Sequence, residues 1–296
     1  MSDHIGRVAF IGLGVMGYPM AGHLAQRASA VTVFNRNPAR ATAWLAEYSD
    51  SPAQCSAAET PQQAAAAADV VFVCVGNDND VAEVALGEQG VLAGMQSGGL
   101  LIDHTTASKA LAVKIATACS NKAVSFLDAP VSGGQAGAEN GALTVMVGGA
   151  QADYARAGDY FDCFAKKHAL MGAVGAGQLT KMVNQICIAG ILQGLSEGVH
   201  FAQQAGLDVD AVVEVISQGA AQSWQMNNRA NTMARDEYDF GFAVDWMRKD
   251  LDIALSTANE VHARLPLTAL VDQFYADVQK MGGGRWDTSS LLRRFK

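Results

Sequence analysis

The chain lacks an excess of positive charge, paired cysteines and any long apolar run. Lys and Arg number 21 against 29 Asp and Glu, giving a net charge of −8 and an isoelectric point near 5.2. A nucleic-acid binder needs a basic surface to neutralise phosphates, so no nucleic-acid partner is expected. The cysteines, Cys55, Cys74, Cys119, Cys163 and Cys187, are odd in number and scattered, with no Cys-x-x-Cys pair. That argues against a disulfide framework and against zinc. His4, His23, His168, His200 and His262 also lack partners at metal-ligand spacing, so no metal is expected. No apolar stretch reaches the roughly 18 residues of a membrane span. The first apolar strand begins within a few residues of Met1, so no leader peptide is expected and the location reads as cytoplasmic. What remains is 296 residues, half of them hydrophobic and 17% charged, enough for two domains with a core each.

The most informative stretch present is Arg7-Val-Ala-Phe-Ile-Gly-Leu-Gly-Val-Met-Gly17, an apolar strand running through a glycine turn into a helical pattern over about 18–26. In a dinucleotide fingerprint Gly12 permits the tight turn, Gly14 admits the pyrophosphate and Gly17 lets helix pack on strand, with Leu13 and Met16 in the same turn. The helix start offers unpaired N–H groups and the positive end of its dipole to the phosphates.

A second strand, Val31–Phe34, ends where an NAD-specific site places an acid for the ribose 2′-hydroxyl. Here the chain has Asn35-Arg36-Asn37. No acid repels a 2′-phosphate, and Arg36 either offers a charged planar fork for one or is an ordinary loop charge. NADP(H) is favoured and NAD(H) remains possible.

Further strands, Val70–Val75, Leu100–Asp103, Ser125–Asp128 and Thr144–Val147, alternate with helical patterns, the signature of a Rossmann-type doubly wound α/β domain. Ligands gather at strand carboxyl ends. Val75 with Gly76-Asn77-Asp78, and His104-Thr105-Thr106, are therefore cofactor candidates, or plain turns. His104 reads more readily as a hydrogen-bonded structural histidine. After Gly172 strand signals stop and helices take over, which predicts an NAD(P)-binding domain over 1–172 and an all-α substrate and oligomerisation domain over 173–296. The latter opens on a long helix over 175–206 with Leu179, Met182, Val183, Ile186, Ile191 and Leu195 at helical spacings, able to serve both cores. Other helices fit 208–217, 225–235, 243–262 and 267–281.

Two more segments look chemical. In Asp128-Ala-Pro-Val-Ser-Gly-Gly134, backbone N–H groups of Gly133 and Gly134 beside the Ser132 hydroxyl can hold a carboxylate, or the glycines merely permit a sharp turn. In Gly175-Ala-Gly-Gln-Leu-Thr-Lys181-Met-Val-Asn184-Gln185, a lysine and two amides share roughly one helix face.

These motifs, with Lys249-Asp250-Leu251, run in one order along almost the whole chain and closely resemble the β-hydroxyacid dehydrogenase family. The resemblance implies an active site between a nucleotide domain and a helical domain, a homodimer or homotetramer, and reaction of a small carboxylate-bearing substrate. It makes Lys181 the acid/base, gives the substrate carboxylate to Ser132, Gly133 and Gly134, and sets Lys249 near the nicotinamide with Asp250 behind it. Many members have two asparagines after the lysine; Asn184-Gln185 resembles the tartronate semialdehyde reductase branch, so either amide can be the one that touches substrate. Trp246 either lies on the substrate's approach or packs in the core, and Arg229 and Arg235 either add charge near the substrate or face solvent.

The expected reaction interconverts a small β-hydroxy acid and its semialdehyde, as in 3-hydroxyisobutyrate dehydrogenase, with tartronate semialdehyde, succinic semialdehyde or glyoxylate reduction as alternatives. A lysine ordinarily titrates near 10.4, so burial or Lys249 nearby is expected to lower Lys181. A non-catalytic NADP sensor would need none of Lys181, the Ser132 loop or Lys249, and an imine reductase generally lacks the lysine.

Overall fold

The computed structural model describes residues 5–296, which divide into two compact units, the first ending at Lys181 and the second running Met182–Lys296. His4 and the expectation about a leader peptide lie outside the described residues.

The first unit is built on one sheet of β1 (Ile5–Ile11), β2 (Ala28–Phe34), β3 (Gln54–Ala57), β4 (Val70–Val73), β5 (Leu100–Asp103), β6 (Ser125–Asp128), β7 (Val131–Ser132), β8 (Leu143–Gly148) and β9 (Ala165–Gly172). The order is β3-β2-β1-β4-β5-β6-β8-β7, with β9 on β8. β1 to β6 are parallel, whereas β8 runs antiparallel to β6 and β7. The chain therefore reverses its direction of travel between β1 and β4, the point at which doubly wound sheets open a ligand crevice. Helices α1 (Gly17–Ala25), α2 (Pro38–Glu47), α3 (Pro61–Ala65), α4 (Asp78–Leu86), α5 (Val91–Gly94), α6 (Lys109–Ser120), α7 (Gly134–Glu139) and α8 (Gln151–Phe161) cover the sheet.

Alternation along the central strands feeds two cores. Val8, Phe10, Val70 and Phe72 pack on one face with Leu24, Trp44 and Phe161, while Ala9, Ile11, Val71 and Val73 pack on the other with Val81 and Ile115. Because both faces are covered, every residue of β4 and β5 is buried, which is why they read as unbroken apolar runs. β3 and β9 have no such run. They are edge strands, largely exposed, with Ser56, Lys166 and Lys167 among their residues.

The second unit contains most of α9 (Ala176–Gln204), then α10 (Val209–Ile216), α11 (Trp224–Ala234), α12 (Val244–Glu260), α13 (Pro266–Lys280) and a terminal 3-10 helix, Thr288–Phe295. Asp208 and Ser223 side chains cap α10 and α11. The core gathers Leu192, Val244, Met247, Leu251, Val271 and Tyr275 in one cluster and Leu195, Val199, Met226 and Met233 in another.

One expectation fails on α9. Val183 is 60% exposed and Ile191 40% exposed, so neither serves a core here. The buried row is instead Gln178, Met182, Gln185, Ala189, Leu192, Ser196 and Val199, alternately four and three residues apart. Polar Gln178, Gln185 and Ser196 interrupt it, so an apolar count selects the wrong face. Among the described residues no helix is long and apolar enough to cross a membrane.

Candidate active site

At the end of β1, Gly12 has φ +99°, a conformation that side chains rarely adopt, and α1 packs so closely that a Cβ on Gly17 would lie 2.8 Å from the Phe10 ring. A Cβ on Gly14 would meet no protein atom within 4 Å. The turn is thus tight against the protein at Gly12 and Gly17 and open at Gly14, as a cradle for a pyrophosphate requires. Met16, just before α1, supplies no side-chain cap; the Tyr18 N–H donates back to the Gly14 carbonyl at 3.0 Å and Pro19 has no N–H, so of the first three helical residues Gly17 is the one that offers its N–H to an anion.

Leu13 and Asn35, both cofactor candidates, are bonded to each other. The Leu13 N–H donates to Asn35 Oδ1 at 2.9 Å and the Leu13 carbonyl accepts from Arg40 Nε at 2.6 Å. Asn35 Nδ2 donates to the Asn37 carbonyl, and Asn37 caps α2. These groups splint the turn. Arg36 has a side chain 85% exposed, held 3.3 Å from Asp80 of α4, and Asn77 caps that helix by accepting from the Asp80 N–H.

At the ends of β4 and β5, Val75 N–H donates to Thr105 Oγ1 and Thr105 N–H donates to Asp103 Oδ1. His104 Nδ1 lies 2.6 Å from the Ala129 carbonyl, which fixes the proton on that nitrogen, and its ring stacks on Phe72 with centroids 5.6 Å apart. Burial pushes its pKa down to about 4, so it is a neutral core histidine. Burial likewise pushes Asp103 up to about 7. Thr106 is half-buried in the same loop.

α9 begins on the carboxylate of Asp128, which accepts from Gly175 N–H at 2.7 Å and Gln178 N–H at 2.9 Å. The contact is close enough that a Cβ on Gly148 would lie 2.5 Å from Asp128 Oδ1. Lys181, in the following turn, is 7% exposed. Ser132 ends β7 half-buried, and the next two residues, Gly133 (φ +136°) and Gly134 (φ +62°), are exposed in conformations that glycine adopts readily and other residues rarely do; a Cβ on Gly134 would meet nothing.

In the helical unit Gln185 is buried and donates to Asp250 Oδ2 at 2.6 Å, while its Oε1 accepts from Asn184 Nδ2 at 2.8 Å. Lys249 Nζ lies 3.0 Å from Asp250 Oδ1. Gln185 therefore spends its amide inside the protein, and Asn184, half-buried, is the outer of the two. Trp246 is 37% exposed. Arg229 pairs with buried Asp287 at 3.2 Å and lies over the rings of Trp224 and Phe240, so its charge is engaged structurally; Arg235 pairs with Glu237 at the surface.

Residues 7–175 match the family described as the NAD binding domain of 6-phosphogluconate dehydrogenase, and 175–295 match NAD-binding of NADP-dependent 3-hydroxyisobutyrate dehydrogenase. An uncharacterized oxidoreductase of Shewanella frigidimarina is 59% identical over 98% of both chains. A probable 3-hydroxyisobutyrate dehydrogenase-like protein of Arabidopsis thaliana is 39% identical over 97% of this chain and 84% of its own. The structure of the Mycobacterium tuberculosis 3-hydroxyisobutyrate dehydrogenase with L-serine superposes with a TM-score of 0.87 at 27% identity, covering 98% of this chain and 99% of that one.

The chain belongs to the β-hydroxyacid dehydrogenase family.

It is accordingly an NAD(P)-dependent oxidoreductase of the 3-hydroxyisobutyrate dehydrogenase type. In this dehydrogenase the first unit brings together Gly12, Gly14, Met16 and Gly17 at the end of β1, Arg36 and Asn77 beside them, and Val75 and Thr106 at the ends of β4 and β5. The same unit holds Ser132, Gly133, Gly134 and Lys181; Asn184, Gln185, Trp246 and Lys249 belong to the helical unit. Arg40 and Gln178 escaped the sequence reading. Arg40 stands one helical turn after Arg36, a spacing that offers a weak signal, but Gln178 reads as any polar residue early in a helix.

Proposed function

We propose that the enzyme reversibly reduces a small semialdehyde acid to its 3-hydroxy acid, using NADP(H) in preference to NAD(H), with Lys181 as the proton carrier. The observation that carries this reading is a buried lysine one turn into a helix seated directly on the strand that leads to the Ser132 loop. The open space at Gly14 and the uncapped start of α1 fit the pyrophosphate, and Arg36 fits a 2′-phosphate. When bound, NADPH supplies the hydride.

The protein's part is position, charge and a proton. The Ser132 hydroxyl and the N–H groups of Gly133 and Gly134 hold the substrate carboxylate and orient the carbonyl. The Lys181 ammonium gives a proton to the carbonyl oxygen as negative charge develops there; in oxidation the neutral amine takes the hydroxyl proton. Asn184 and Lys249 are assigned by family resemblance to the substrate and the nicotinamide, and Trp246, 37% exposed, to the substrate's approach, with Asn184 the amide that touches substrate and Gln185 its support. We assign 1–172 to the cofactor and 173–296 to substrate selection and oligomerisation, supported by exposed Val183, Phe201 and Val215 in the helical unit.

The test is Lys181→Ala assayed with 3-hydroxyisobutyrate, serine, tartronate semialdehyde, succinic semialdehyde and glyoxylate with both cofactors. Turnover is expected to fall by about 10² to 10⁴ while NADPH still binds. Near-normal turnover removes Lys181 from the role.

A further inference from the structure

We propose that Gln178 is a positioning residue for the reaction, its side-chain amide locking the turn of α9 that leads to Lys181 onto the loop that carries Thr105 and Thr106. The inference rests on the acid/base role proposed above for Lys181.

Gln178 is fully buried, at 0% exposure. Its Oε1 accepts from the Ala107 N–H at 3.0 Å and its Nε2 donates to the Thr105 carbonyl at 2.7 Å. Both functions of the amide are thus spent on the backbone of one loop, between β5 and α6. That loop is fixed in turn: Thr105 Oγ1 accepts from Val75 N–H after β4, and Ser108 N–H donates to Asp78 at 3.0 Å. The main chain of Gln178 is held independently, because its N–H donates to Asp128 at the end of β6. Asp128 already satisfies the helix start, so capping does not need the side chain of Gln178. What the side chain adds is a fixed spacing between α9 and the ends of β4 and β5, where a doubly wound sheet holds its cofactor. Lys181 follows three residues later on a neighbouring face of the same rigid helix, so a shift at Gln178 moves it directly.

The experiment compares Gln178→Met, which keeps length and loses both hydrogen bonds, with Gln178→Glu. Loss of the clamp is expected to lower kcat in Gln178→Met by about 10², with KM and the NADPH dissociation constant close to those of the wild type. In Gln178→Glu the protonated carboxyl can donate to the Thr105 carbonyl and accept from Ala107 N–H as the amide does, whereas the carboxylate sets negative charge against that carbonyl. Its kcat relative to the wild type should therefore recover as pH falls. Asp78, Asp103, His104, Lys109, Asp128 and Lys181 surround the position in both proteins, so the ratio at each pH is the readout.

A normal kcat in folded Gln178→Met, or a pH-independent ratio for Gln178→Glu, overturns the proposal and leaves Gln178 a packing residue. Should Gln178→Met fail to fold, the ratio alone decides. If Lys181→Ala keeps its turnover, the acid/base reading fails; if that variant is inactive while Gln178→Met turns over normally, only the present inference falls.

Discussion

The amide of Gln185 lies 2.6 Å from the Asp250 carboxylate, so one buried acid on α12 receives both an amide from α9 and, at 3.0 Å, the Lys249 ammonium. Asp250→Ala deprives the buried Gln185 of its carboxylate acceptor and strips Lys249 of its counter-charge. The helical unit is expected to lose about 3 kcal/mol, read as a lower urea midpoint, with Asp250→Asn losing less because an oxygen remains for Gln185. Equal stability of all three proteins would contradict the arrangement.

Two glycines of the same turn should behave oppositely. Ala at position 17 must push first against the backbone carbonyl of Gly12 and then against the Phe10 ring, and because the carbonyl cannot swing aside the cost falls at the upper end of about 1 to 3 kcal/mol. Ala at position 14 meets no protein atom, so stability should stay within about 0.5 kcal/mol while cofactor affinity drops. Thermal melts and NADPH titrations of both variants separate the effects, and a Gly14→Ala protein that binds NADPH normally would show that the turn holds no pyrophosphate.

Arg36 should discriminate between cofactors. A hydrogen bond to a charged group is worth about 1.5 to 3 kcal/mol, so Arg36→Ala is expected to raise the KM for NADPH by roughly tenfold to a hundredfold and to leave that for NADH nearly unchanged. A preference for NADH in the wild type that survives the substitution would refute the NADP reading.

Stability should carry two opposed pH dependences. Burial pushes Asp103 up to about 7, so below about pH 4 its contribution is full, and it is lost as pH rises through 7. His104, pushed down to about 4, contributes fully above about 6.5 and loses that contribution as pH falls through 4. Between about pH 4 and 6.5 the two slopes, each about 1.4 kcal/mol per pH unit, largely cancel. Asp103→Asn retains an acceptor for Thr105 N–H and removes one slope, so its stability relative to the wild type should rise between pH 5 and pH 8. A difference that does not change with pH argues against a proton on Asp103.

How legible these features are in sequence follows from how local they are. The strand, turn and helix around Gly12 need only their own residues, and buried β4 and β5 announce themselves as apolar runs. Edge strands β3 and β9 do not, since one side of each faces solvent. The Gln178 clamp and the Gln185–Asp250 pair join residues 71 and 65 positions apart, and only the strand order and helix packing bring them together. A glutamine on a helix carries no mark that says whether it will be wetted or interred. Val183 and Ile191 mislead for the complementary reason, being apolar side chains on the outward face.

The seating of α9 turns its residue count into a gauge. With Gln178 pinned, each residue gained or lost before position 181 would swing the lysine about 100° around the rod and slide it about 1.5 Å along it. Natural insertions should therefore be tolerated in the loops on either side of this helix and be ruinous within its opening turns, even though nothing there is part of the glycine fingerprint.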